Sequence, residues 1–118
     1  MPDDEAGTWR DDQVLVVLTT VSDDAEASRI AQALVDERLA ACVTALGPAR
    51  SVYRWHESVE TAEEVPLLIK TSGARWPALR DRLRALHGYE LPEMLVLRAA
   101  DGLPEYLAWV GAATSRTD

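Results

Sequence analysis

One cysteine, one lysine and no asparagine occur among 118 residues, and each scarcity removes a class of function. Cys42 alone makes no internal disulfide, in keeping with a reducing compartment. No C-x-x-C, H-x-x-x-H or other local chelating pair is present, so the usual zinc motifs are absent. Lysine and arginine total 12 against 20 aspartates and glutamates, a formal charge of −8. Binding to a nucleic-acid backbone needs a basic surplus on one face, so nucleic acid is not the expected partner. The longest apolar run, Val14 to Leu18, is far short of the roughly 20 residues of a membrane span. The opening Met1-Pro2-Asp3-Asp4-Glu5 is acidic where a secretory leader would be basic. The expected location is cytoplasmic, with no membrane partner.

What remains is an ordinary globular composition, 47% hydrophobic and 27% charged, of a size suited to one domain. Residues 1–12 carry five acids and no apolar pattern, and read as a disordered acidic tail ahead of a domain at 13–115. Val14 to Thr19 predicts a strand buried on both faces at the centre of a sheet. Asp23 and Glu26 have the spacing of a capping box. Behind them Ala27, Ile30, Ala31 and Leu34 recur at helical spacing, with Glu26, Arg29 and Glu37 off that stripe.

From Ser51 to Thr71 the chain reads as a long β-hairpin turning through His56-Glu57-Ser58, its first arm beginning near Leu39 and interrupted by Gly47-Pro48. Pro48 and Pro66 mark bulges or edges, because proline cannot donate to a ladder. Trp76-Pro77 opens a second helix with Leu79, Leu83 and Leu86 inward, and Gly88 closes it. Pro92 to Leu97 predicts a fourth strand, and a short helix starts at Pro104. The order βαββαβ plus a terminal helix is an α+β, ferredoxin-like arrangement with helices on one face. The other face is left bare and asks for a covering partner. Acylphosphatase-type enzymes share that order but need an asparagine, and RNA-recognition modules need aromatic motifs and a basic surface that are missing here. No catalytic spacing is present, and a non-enzyme is expected.

Five blocks in order carry a resemblance: Leu39-Ala40-Ala41-Cys42; Val52-Tyr53-Arg54-Trp55; Glu63-Glu64-Val65 with Ile69-Lys70-Thr71; Tyr89-Glu90-Leu91-Pro92-Glu93; and Tyr106-Leu107-Ala108-Trp109. Over about residues 14–113 the chain resembles the CutA family of divalent cation tolerance proteins. That resemblance implies a homotrimer with sheets turned inward, no catalysis and no required cofactor. It also implies weak binding of Cu(II) or another divalent cation. The family's best-known bacterial pattern closes the second helix with two histidines and puts a cysteine in the first strand, positions held here by Leu86, His87 and Thr19. His87, with Thr19 and Cys42 as additional ligands, is therefore the candidate metal site. His87 also reads as a helix C-terminal residue favoured by the dipole, and Cys42 as a small buried hydrophobe. A second reading is a small-molecule-sensing trimer comparable to the PII signalling proteins. Its cleft between protomers would be walled by Trp55 and Tyr89 and would carry Lys70 with Glu64 or Glu93. Lys70 paired with one of those acids as a structural ion pair, and a scaffold without ligand, are the remaining alternatives.

Overall fold

In the computed structural model, which describes residues 8–116, the chain runs β1 (Val14–Val21), α1 (Asp24–Asp36), β2 (Cys42–Ala45), β3 (Ala49–Trp55), β4 (Ser58–Ser72), a 3-10 turn (Gly73–Arg75), α2 (Trp76–Leu86), β5 (Leu95–Arg98) and α3 (Pro104–Ala113). The fold is α+β with an antiparallel sheet in the strand order β2-β4-β1-β5, and β3 pairs with the earlier part of β4. The interrupted hairpin arm is thus β2 and β3, separated at Gly47-Pro48. β4 is continuous through Pro66 for a simple reason. Leu46 donates its N–H to the Pro66 carbonyl at 2.9 Å. The amide nitrogen of a strand residue points the same way as its carbonyl, so the donor that Pro66 lacks would have faced the break between β2 and β3.

Side-chain parity divides the sheet. Leu15, Val17, Thr19 and Val21 on β1 and Val65, Leu67, Ile69 and Thr71 on β4 are buried. Most of them join Ile30 and Leu34 of α1 and Leu79 and Leu83 of α2 in one core. The intervening Val16, Leu18, Thr20, Pro66, Leu68 and Lys70 are only half-buried. The strand read as buried on both faces is central, flanked by β4 and β5, but within the single chain only one of its faces is covered. α3 covers one end of the opposite face, where Val110 meets Val14 and Ala41, and Thr114 Oγ1 donates to Ser72 Oγ at 3.1 Å. Beyond α3 that face is apolar and open, with Leu95 at 56% and Leu97 at 55% exposure beside Val16, Leu18 and Leu68.

The predicted tail straddles the described region, and residues 1–7 lie outside it. The rest is joined to the domain ahead of residue 13. The Asp11 carbonyl accepts the Ala74 N–H at 3.0 Å, and a Cβ on Gly73 would collide with the Arg10 carbonyl.

Candidate functional site

The turn between β1 and α1, the end of α2 and the middle of β4 meet at one corner, and Glu26 joins the first two. Asp23 caps α1 by accepting the Glu26 N–H at 2.8 Å. In a full capping box the Glu26 carboxylate would return to the Asp23 amide. Here Oε1 instead accepts the Ser22 N–H at 3.0 Å and the Ser22 hydroxyl at 2.9 Å, while Oε2 accepts the Gly88 N–H at 2.7 Å. Burial pushes this carboxyl up, but the bonds from Ser22 and Gly88 outweigh it and leave the pKa below its ordinary 4.5. Glu26 lies off the apolar stripe of α1, yet it is only 9% exposed. Gly88 serves by leaving room, since a Cβ there would sit 2.7 Å from Glu26 Oε2.

His87, the last residue before that glycine, is 8% exposed. Its Nδ1 accepts the Tyr89 N–H at 3.1 Å, so the ring proton resides on Nε2, which donates to the Thr20 carbonyl at 2.8 Å and lies 3.3 Å from Thr19 Oγ1. Both nitrogens are engaged. His87 and Thr19 do come together, as the resemblance implied, but Cys42 does not join them. It pairs in register with Lys70 and hence Val16, three residues from Thr19 and on the opposite face, and its Sγ lies 3.6 Å from the Tyr106 hydroxyl. The set His87, Thr19 and Cys42 therefore does not fit a copper ion, because no ring lone pair is free and the thiol is elsewhere. Among the described residues no three His, Cys, Asp or Glu side chains are placed to hold a metal ion.

Tyr89 carries the structure from this junction into a cleft. Its hydroxyl donates to Glu64 Oε2 at 2.7 Å. Glu64 is 8% exposed. Burial raises its pKa, yet hydrogen bonds from Ser51, Tyr89 and Thr20 overcome this and hold it below 4.5. Burial, and then the same bond to Glu64, push the Tyr89 phenol well above its ordinary 10.0. The two groups are thus locked as neutral phenol and carboxylate. Around them lies a cavity of about 810 Å³, bounded by β3 on one side and the Tyr89–Glu93 loop on the other. Trp55, Glu64, Tyr89 and Glu93, four of the five residues expected in a cleft, line it together. Lys70 does not. It stands six residues further along β4, roughly 20 Å away at strand rise, and donates to Thr44 Oγ1 at 3.0 Å. The expected pairing of Lys70 with Glu64 or Glu93 is replaced by that hydroxyl contact.

Residues 15–113 match the family described as CutA1 divalent ion tolerance protein. The chain belongs to that family. It is 46% identical over 95 residues to the divalent-cation tolerance protein CutA of Thermus thermophilus, covering 80% of this chain and 92% of that one. Against CutA of Pectobacterium atrosepticum it is 44% identical over 99 residues, covering 84% and 90%. The crystal structure of CutA from Xylella fastidiosa superposes with a TM-score of 0.84 at 45% identity, over 86% of this chain and 98% of that one.

The expected site residues did not include Glu26, Thr20, Ser51, Tyr53, Arg54 or Glu90. Tyr53, like Trp55 two positions on, falls on the cleft side of β3 by strand alternation, a signal present in the sequence. Glu26 gave none, since its decisive partner, Gly88, is 62 residues away.

Proposed function

We propose that this CutA1-family chain works as a non-catalytic homotrimer of ferredoxin-like protomers, and that its contribution to divalent-cation tolerance runs through occupancy of the Trp55–Tyr89 cleft. One observation carries the reading. The cleft is of ligand size, with aromatic walls and a charge-fixed carboxylate, whereas His87 has both nitrogens engaged. The assembly is supported by the open apolar face of Val16, Leu18, Leu68, Leu95 and Leu97, a patch of the kind that marks an interaction surface.

A second reading, weak binding of a divalent cation, is favoured by Glu64, Glu90 and Glu93 lining the same cleft. The deciding experiment is a Cu(II) titration against a competing chelator, with molar mass measured in the same samples, on wild type, His87→Ala and Glu64→Gln. The cleft reading expects a mass of three chains and no saturable site that depends on His87. Stoichiometric copper binding abolished by His87→Ala would overturn it. Binding weakened by Glu64→Gln alone would establish the second reading.

A further inference from the structure

We propose that the cleft selects small organic cations, ammonium groups carrying apolar carbon, over metal ions, anions and neutral molecules. This rests on the cleft being the binding site argued above.

The first support is a carboxylate without an ion-pair partner. Glu64 is a buried carboxylate whose partners are the neutral hydroxyls of Tyr89, Ser51 and Thr20, and none of the ion pairs among the described residues includes it. Glu90 and Glu93 line the same cavity, whose only basic lining residue is Arg54, so the lining carries a net negative charge. A concave surface of one sign raises the local concentration of the opposite ion.

The second support is the nature of the walls. Tyr53, Trp55 and Tyr89 contribute aromatic surface to the cavity. Ring faces attract a cation within about 6 Å of their centroids, and they do so best when the cation sheds water readily. An alkylated ammonium does; a divalent metal ion holds its hydration shell and demands several oxygen or nitrogen ligands on one point. The carboxylates here are spread around about 810 Å³ and do not converge as a ligand set. Space on that scale suits a small molecule, and a bare ion would leave most of it empty. An anion would meet Glu64 with only Arg54 to oppose it.

The test is isothermal titration of the full-length protein with choline, its uncharged carbon isostere 3,3-dimethylbutanol, the anion 3,3-dimethylbutyrate, and Mg²⁺. Choline should saturate at one per chain, and the neutral isostere should bind at least about fivefold more weakly, the factor that a cation–π contribution supplies. Glu93→Gln and Trp55→Leu should each weaken choline by a similar factor. Glu93 is exposed, so its variant keeps the fold, which circular dichroism and molar mass confirm. Equal or tighter binding of the isostere or the anion would overturn the cation preference and leave the cleft standing as a site. Mg²⁺ binding that choline does not match would overturn it in favour of the metal reading. Failure of all four with the fold intact would overturn both this proposal and the cleft itself.

Discussion

The two faces of one sheet are made of neighbouring residues and meet opposite fates. On β4 Leu67 and Ile69 are sealed beneath α1 and α2, while Leu68 and Lys70 between them look out on a surface that only α3 partly covers. Composition hardly differs across the first row of this contrast, since Leu67 and Leu68 are the same residue. What differs is whether two amphipathic helices happen to lie above. The closed face therefore holds the chain together, and the open face, continuing along the hairpin into the cleft, is where the proposed partner and ligand would bind.

The contrast is broken most severely from the closed side. Ile69→Ala should lower unfolding stability by about 2–5 kcal/mol, the range for deleting a fully buried aliphatic side chain, as read by denaturant unfolding. If the proposed trimer forms through the open face, Leu18→Arg there should leave each chain folded while lowering the molar mass to that of one chain. An unchanged mass would show that this face is not the subunit contact.

At the corner where the faces meet, Tyr89→Phe removes the donor to Glu64 and should cost about 1.5–3 kcal/mol, the range for a hydrogen bond to a charged group. Stability should also respond to pH in two directions. The carboxyls of Glu26 and Glu64 have pKa values below 4.5, so the stability they confer is fully present above pH 4.5 and is lost as pH falls through their folded values. The Tyr89 phenol is raised above 10.0, so its contribution holds below pH 10.0 and fades only as pH rises through the higher folded value. Thermal melts of wild type, Glu26→Gln and Glu64→Gln across pH 3 to 7 check the acid arm; the two variants should show a shallower decline. An acid slope identical to wild type in both would remove these carboxylates from the account.

The smallest effect is expected at the hairpin tip, where His56 adopts φ 57° in the two-residue turn between Trp55 and Ser58. His56→Gly should raise stability by a few tenths of a kcal/mol up to about 1, because glycine occupies a positive φ without the Cβ clash. A drop would show that the His56 ring, 4.8 Å from Trp55, contributes more than the backbone relief.

Much of this architecture was legible because it follows local rules. The apolar stripe of Ile30 and Leu34, the Asp23 cap and Pro77 near the start of α2 each express a period or a terminus that neighbouring residues state outright, whereas the unbroken apolar run of β1 concealed which of its faces the helices would cover. The cleft was legible in four of its members through family blocks, and Lys70 was misplaced because block membership says nothing of distance along a strand. His87 was read as a ligand from the family pattern, beside a structural reading at the helix end, and its hydrogen bonds run to the Tyr89 amide and the Thr20 carbonyl, neither of which is a side-chain signal.

The sequence by itself determined which segments became strands and helices and which stripe of α1 and α2 is apolar, because these depend on contacts within a few residues, while strand ends shifted, the last strand running Leu95–Arg98 where Pro92 to Leu97 was expected. Only the tertiary structure decided that the Glu26 carboxylate would take the Gly88 amide in place of the Asp23 amide, that His87 would use both nitrogens internally, and that Glu64 would hold its charge among hydroxyls. Those outcomes require groups up to 68 residues apart to meet within hydrogen-bonding distance, and a buried polar group takes whatever partner the packing delivers.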